Sequence, residues 1–266
     1  MNLFRSRRRR RLRSTPLSAD SLRIIDRNVP YCRCLPPEER TELNGLIQVF
    51  LAEKPFEGAG GLVMTDEIRL TIAAQACILL LGREPHFYPG LDAIIVYPHA
   101  YVSRMARRNP DGTVSDAAQV RLGESWRQGA LVLSWDDVVS GAGDIHDGHN
   151  VVFHEFAHQL DAEHGPADGV PPLETRSMYV AWARALGAEY EDLVKRLRRH
   201  APTFLNPYAA TNPAEFFAVA TEFFFEKSQA MRAGHPELYE QLRTFYQQDP
   251  AEWTSCSGAK HQSWGS

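Results

Sequence analysis

Two histidines stand four residues apart in the segment His154-Glu155-Phe156-Ala157-His158. Residues with this spacing lie on one face of an α-helix, with about 5–6 Å between their Cβ atoms, so both imidazoles can bind one metal ion. Catalytic zinc uses three protein ligands, often neutral imidazoles, and keeps a fourth position for water. Glu155 directly follows the first histidine and can take a proton from such a water. The pattern predicts a catalytic site for one Zn²⁺ ion.

The residues around the histidines favour a metal site over a core helix with incidental polar side chains. The neighbouring positions are uncharged, namely Val151, Val152, Phe153, Phe156, Ala157 and Leu160. A helix with this composition is expected to be buried on most sides. Burial of unpaired imidazoles and a carboxylate costs free energy, so these groups need a partner, and a metal ion is one.

Zinc needs at least one more ligand, and His164 is one candidate. It follows His158 by six residues, close to the extended metzincin pattern, but that pattern has a glycine where this chain has Asp161. The glycine allows a turn that brings the later histidine back to the metal, and aspartate adopts the required backbone conformation far less readily.

Glu215 is the other candidate for the third ligand. It follows Asn212-Pro213, which predicts the start of an apolar helix extending to about Phe225. The same Asn-x-x-Glu spacing is that of a capping box, in which the glutamate bonds the cap residue's amide. Glu222, seven residues later, is a fallback ligand or a carboxylate partner for a ligand.

Hydrophobic spacing predicts the elements that must position this site. Apolar residues at helical intervals predict core helices over about 38–51 and 65–81. Residues 93–97 and 130–135 are typical of strands, and the second closely precedes the histidine segment. An exposed edge of that strand could bind substrate main chain by strand addition. The expected fold class is α+β, mostly helical with a small sheet.

Charge is distributed unevenly along the chain. Residues 1–13 contain seven arginines and no acid, whereas the remainder has 22 basic and 33 acidic residues, a net charge of −11. The acidic remainder argues against nucleic-acid binding by the folded part. The arginine run itself is consistent with binding to anionic lipid or nucleic acid. The apolar charge-free run over 70–82 is too short for a transmembrane segment of about 20 residues.

These features predict a division into three parts. Residues 1–18 are expected to be a disordered arginine-rich tail, residues 19–250 a single catalytic domain, and residues 251–266 a flexible C-terminal tail.

Several strings along the chain resemble one known family. They are His154-Glu155-Phe156-Ala157-His158-Gln159-Leu160-Asp161, Gly123-Glu124-Ser125-Trp126, Leu133-Ser134-Trp135, and Tyr208 followed by Asn212-Pro213-Ala214-Glu215. Their combination resembles the Mlc titration factor A family of glucose-regulated metallopeptidases, over about residues 30–250. The family is similar in its catalytic part to the bacterial lethal-factor metalloprotease, a zincin.

The resemblance implies a site and an activity. His154, His158 and Glu215 would bind zinc, Glu155 would act as general base and acid, and Tyr208, seven residues before Glu215, would donate to the oxyanion. The implied activity is that of a cytoplasmic, aminopeptidase-like zincin acting on short peptides.

The family name implies an alternative from another class. In that case the chain is chiefly a binding protein that sequesters a transcriptional repressor of the Mlc type, and catalysis is secondary.

Overall fold

The computed structural model describes residues 3–99 and 129–253, together with the backbone of five short strands between residues 101 and 125. Ten α-helices lie in these residues: α1 (Leu3–Arg13), α2 (Ala19–Asn28), α3 (Pro37–Glu53), α4 (Asp66–Ile78), α5 (Trp135–Gly143), α6 (Val151–Asp161), α7 (Arg176–Arg198), α8 (Pro213–Glu226), α9 (Ser228–Gly234) and α10 (Pro236–Tyr246). The strands are β1 (Phe56–Gly58), β2 (Ala93–Tyr97), β3 (Tyr101–Ser103), β4 (Arg107–Arg108), β5 (Val114–Ser115), β6 (Gln119–Arg121), β7 (Gly123–Ser125) and β8 (Ala130–Ser134). The predicted α+β class, mostly helical with a small sheet, is confirmed.

The main sheet has the strand order β1-β2-β8-β7. Strands β1, β2 and β8 are parallel, whereas β7 pairs antiparallel with β8. The strand predicted over residues 130–135 ends at Ser134, whose hydroxyl accepts a hydrogen bond from the Asp137 amide and caps α5. The expectation that this strand has an exposed edge is wrong, because β8 has a neighbour on each side. The edge strand next to α6 is β7.

Helix α6, which contains both histidines, lies inside the hydrophobic core. On one side Phe156 packs against Phe50 of α3 and against Tyr88, with ring centroids 5.8 and 4.7 Å apart. On another side Phe153 packs against Phe225 of α8 at 5.2 Å. These contacts hold the helix between α3 and α8, and interior packing of this density leaves it little freedom to shift.

The loop behind α6 is stabilised by a buried lysine. Phe87 and Tyr88 both have a left-handed backbone, with φ of 58° and 51°, which is uncommon for bulky residues. The Lys54 amino group donates hydrogen bonds to the carbonyl oxygens of Tyr88 and Leu91, at 2.6 and 2.7 Å. Burial lowers the pKa of Lys54 to about 8. Lys54 thereby holds in place the loop whose Tyr88 ring supports α6.

Helix α1 replaces part of the disordered tail that the sequence predicted over residues 1–18. Arg5 and Arg9 each form an ion pair with Glu53 at 2.8 Å, and Arg13 pairs with Glu42 at 3.0 Å. The hydrogen bonds from Arg9 and Arg5 outweigh burial and hold the pKa of Glu53 at about 2. The composition of residues 1–18 could not predict that α1 is an ordered helix, because its acidic partners lie in α3.

The last described residues of the chain, up to Trp253, also pack against the rest of the protein. Ala251 is buried, and the Trp253 ring contacts Tyr31 with centroids 5.5 Å apart. The rest of the predicted C-terminal tail, residues 254–266, lies outside the described residues. No helix in the described part of the chain is long and apolar enough to cross a membrane. The division into three parts otherwise stays a prediction.

Candidate metal centre

Helix α6 places the two histidines side by side. It begins after Asn150, whose side-chain oxygen accepts a hydrogen bond from the Phe153 amide at 3.0 Å. The rings of His154 and His158 have centroids 4.9 Å apart and planes at 81°. Both side chains are 14% exposed, so the pair is largely buried but still reached by solvent. The four-residue spacing therefore produces the shared face that the sequence predicted.

Helix α8 brings Glu215 to this pair. Its Oε2 atom is 3.0 Å from His154 Nε2 and 3.4 Å from His158 Nε2. These three residues form the one group found among the described residues whose potential ligand atoms all lie within 4.8 Å of one another. Asn212 caps α8 by accepting a hydrogen bond from the Glu215 amide at 3.0 Å. The Glu215 carboxylate itself faces the imidazoles, as a third ligand would.

The charges at this point favour a cation. Burial alone would disfavour a charged carboxylate, but hydrogen bonds from His154 and His158 hold the pKa of Glu215 below its usual range. Burial also disfavours a charged imidazole, yet the carboxylates of Glu215 and Glu222 raise the pKa of His154 to about 10. Positive charge is therefore stabilised where the two imidazoles and the carboxylate converge.

Glu222 lies behind His154, on the opposite ring nitrogen from Glu215. Its Oε1 is 2.7 Å from His154 Nδ1, and its Oε2 accepts a hydrogen bond from the Asn150 amide at 2.6 Å. A carboxylate on Nδ1 favours the tautomer with the proton on that nitrogen, which leaves the Nε2 lone pair directed at the metal position. Of the two roles predicted for Glu222, the geometry matches the carboxylate partner and not the fallback ligand.

Glu226 is a buried carboxylate that the sequence analysis missed. Its Oε2 accepts hydrogen bonds from the amides of Gly148 and His149, both at 3.1 Å, and its Oε1 accepts one from Asn150 Nδ2 at 3.2 Å. Burial raises its pKa well above the usual value. Glu226 thus holds the loop that begins α6. The sequence feature that could have identified Glu226 is its spacing: it follows Glu222 by four residues, so both carboxylates lie on the same face of an apolar helix.

Glu155 is 5% exposed and lies next to the two imidazoles in α6. Burial raises its pKa above the usual value for a glutamate, although the neighbouring histidines oppose this effect. Its role as general base stays a prediction.

Tyr208 lies at the open side of the site. It belongs to a 3-10 helix (Pro207–Ala210) that precedes α8, and its ring centroid is 6.1 Å from that of His154. Its backbone is held by Asn206, whose Oδ1 accepts the Tyr208 amide at 3.0 Å, and by Thr211, whose hydroxyl donates to the Tyr208 carbonyl at 2.7 Å. The side chain remains 54% exposed. An exposed phenol beside the metal position can contact a bound substrate.

The rival ligand His164 does not join the site. Asp161 has ordinary helical backbone angles, and the chain continues into a 3-10 helix (Ala162–His164) with no left-handed turn. His164 is exposed and outside the group of converging ligand atoms. The Asp161 side chain instead binds the loop that follows the 3-10 helix. Its Oδ2 accepts a hydrogen bond from the Gly169 amide at 2.7 Å.

The contact between Glu222 and His154 makes a prediction about metal affinity. Glu222→Gln removes the negative charge that favours the Nδ1-H tautomer, so we expect zinc affinity to fall about 10–100-fold while the fold is retained. Competition with a chromophoric chelator measures the affinity, and Glu237→Gln, on the exposed surface of α10, is the control. Equal affinity of the Glu222 variant and the control would contradict this role.

Comparison with known proteins places this fold and site in context. The chain matches the profile of the glucose-regulated metallo-peptidase family M90 over residues 3–247, a span that includes the arginine-rich helix α1. It is 44% identical over 245 residues to the uncharacterized protein slr2042 of Synechocystis sp., covering 91% of this chain and 89% of that protein.

Two further relatives are named Mlc titration factor A. The one from Serratia proteamaculans is 33% identical over 225 residues, covering 84% of this chain and 85% of the relative. The one from Escherichia coli is 30% identical over 228 residues and covers 85% of each. The resemblance seen in the sequence strings is thus confirmed across most of the chain, which belongs to the glucose-regulated metallopeptidase family M90.

Proposed function

We propose that this metallopeptidase is zinc-dependent and hydrolyses peptide bonds, with aminopeptidase-like action on short peptides. The observation that supports it most directly is the convergence of His154 Nε2, His158 Nε2 and Glu215 Oε2. Two imidazoles and one carboxylate are ligands that suit zinc, and Glu222 adds the outer hydrogen bond typical of zinc-bound histidine. A set of three protein ligands is also that of a catalytic site, since structural zinc sites usually have four.

Each group at the site would have a separate role in peptide hydrolysis. Zinc, when bound, would lower the pKa of water and polarise the substrate carbonyl. Glu155 would take the proton from that water and later return it to the leaving amine, a role that suits a buried carboxylate with a raised pKa. Tyr208 would donate its phenolic proton in a hydrogen bond to the oxyanion.

The sheet supports a peptide as the substrate. Strand β7 is the outer strand of the main sheet and lies next to α6. An extended peptide that pairs with the outer edge of such a strand would lie along the helix that contains His154 and His158. Main-chain pairing also tolerates varied side chains, which is consistent with action on short peptides of mixed sequence.

A second function is suggested by the relatives. Two of those compared are named Mlc titration factor A. The chain would in this case act chiefly by binding a transcriptional repressor of the Mlc type. Because such binding needs a surface but no proton transfer at Glu155, the two functions can be separated by experiment.

We propose a cytoplasmic location, which rests on the family resemblance. Among the described cysteines, Cys32 and Cys77 are free and buried, whereas Cys34 is disulfide-bonded. A disulfide is uncommon in a reducing compartment, so the cysteines do not support this location. Fractionation of cells that produce the protein would test the location, and its recovery outside the cytoplasmic fraction would contradict it.

The ligand set predicts how zinc content responds to substitution. Glu215→Ala removes a converging carboxylate, so the purified variant should contain markedly less zinc than the wild type. His164→Ala removes an exposed histidine and should leave the zinc content unchanged. Elemental analysis after exhaustive dialysis measures both. Loss of zinc only in the His164 variant would overturn the ligand assignment.

The role of Glu155 predicts a loss of activity without a loss of metal. Glu155→Gln removes the proton acceptor, so kcat should fall by about 10²–10⁴-fold while zinc is retained. Hydrolysis of an alanine p-nitroanilide measures activity, and its N-acetylated counterpart tests the need for a free amino terminus. Pull-down of a purified Mlc-type repressor tests the second function, which the variant should preserve. Undiminished cleavage by the variant would exclude Glu155 as the base.

The position of Tyr208 predicts an effect on the rate and not on the metal. Tyr208→Phe keeps the ring but loses the donor, so kcat should fall by about 10²–10³-fold with KM nearly unchanged. Tyr179→Phe, on helix α7, is a control with the same chemical change. A Tyr208 variant with wild-type kcat would show that its hydroxyl does not contact the oxyanion.

A further inference from the structure

Helix α1 uses only some of its arginines to bind the rest of the protein. Arg5 and Arg9 pair with Glu53, whose side chain is 6% exposed, and Arg13 pairs with Glu42. Positions 5, 9 and 13 repeat every four residues, so they lie along one side of the helix. These ion pairs fix α1 along α3, and with it the direction in which its remaining side chains point.

The outward side of α1 has a different set of residues. Phe4, Arg7, Arg8 and Arg11 follow the i, i+3, i+4, i+7 pattern that places residues on one helix face. Phe4 is 83% exposed, and the three arginines are also exposed. None of these arginines forms an ion pair with any residue that the structure describes, although Arg8, at the edge of this set, donates a hydrogen bond to the Ala52 carbonyl of α3 at 3.3 Å. We call Phe4, Arg7, Arg8 and Arg11 the outer face.

This concentration of positive charge contrasts with the rest of the chain. Residues outside 1–13 have a net charge of −11, so an anionic partner would be repelled by most of the surface and attracted at α1. Self-association through α1 is disfavoured, since two outer faces repel each other. The charge distribution therefore orients an anionic partner towards this helix.

The geometry favours a membrane surface over a nucleic acid as that partner. A helix about 10–12 Å in diameter fills the DNA major groove, about 12 Å wide, so it must project from its protein to enter. Helix α1 instead lies along α3, and entry would bring the acidic α3 against the phosphates. A flat anionic surface needs only the outer face. An exposed aromatic ring among arginines also suits the boundary between headgroups and acyl chains.

We propose that the outer face of α1 binds anionic phospholipid bilayers and holds the protein reversibly at a membrane surface. The arginines contact headgroup phosphates, and Phe4 inserts at the interface without spanning it. This inference is independent of the metal centre, because it uses no residue of the site.

Vesicle flotation of the full-length protein tests the proposal. We expect binding to vesicles of phosphatidylcholine and phosphatidylglycerol in equal amounts, and little binding to phosphatidylcholine alone. Neutralising the outer face by R7Q, R8Q and R11Q together should lower the partition coefficient by about 100-fold, roughly fivefold per arginine. F4S should weaken binding with no change in charge. Added salt should weaken binding of the wild type.

A matched variant controls for net charge. Arg184, Arg198 and Arg199 are exposed on and just after α7, and R184Q, R198Q and R199Q together remove the same charge from another surface. This variant should bind vesicles as the wild type does. Circular dichroism establishes that both triple variants are folded.

The proposal is overturned by any of three results. These are absence of binding to the anionic vesicles, equal loss of binding in both triple variants, and binding that the outer-face substitutions leave unchanged. A parallel titration with a labelled DNA duplex and an RNA hairpin completes the test. If the outer-face arginines are needed for binding to the DNA or the RNA and not for binding to vesicles, the helix binds nucleic acid and the membrane proposal fails.

Discussion

The packing of α8 against α6 places three buried or half-buried carboxylates next to polar groups of the histidine helix and its preceding loop. Glu215 faces the two imidazoles, Glu222 binds the first imidazole from behind, and Glu226 binds the loop that begins α6. Charges removed from water must be compensated, and here each carboxylate is matched by imidazole or amide hydrogen-bond donors. The interface between these two helices therefore defines the site.

The surrounding hydrophobic core fixes the positions of α6 and α8 relative to each other. Aromatic side chains on two sides of α6 contact α3 and α8, and the loop bearing Tyr88 depends on the hydrogen bonds of buried Lys54. Rigid support of this kind keeps ligand atoms near their working positions, which is what a metal site or a catalytic base requires. The open side, by contrast, contains the exposed Tyr208.

The same principle of charge compensation explains why α1 is ordered. Arginines that composition alone assigned to a disordered tail find acidic partners in α3, and those on the opposite side find none among the described residues. One helix thus has an inner side that stabilises the fold and an outer side with uncompensated charge. The match of family M90 begins at residue 3, so this helix is part of the segment shared with the family.

The sequence by itself determined the local chemistry: the shared face of His154 and His158, the adjacent Glu155, and the two strands of the sheet all follow from spacing along the chain. The sequence named Glu215 beside His164 and disfavoured His164, because Asp161 stands where the metzincin turn has glycine. The Glu215 and Glu222 contacts to His154 join residues 61 and 68 positions apart, and the Glu226 contact to Asn150 spans 76. Helical periodicity governs only neighbouring turns, whereas such distant pairs exist because α8 packs on α6. That packing, like the docking of α1 on α3, was decided by the tertiary structure.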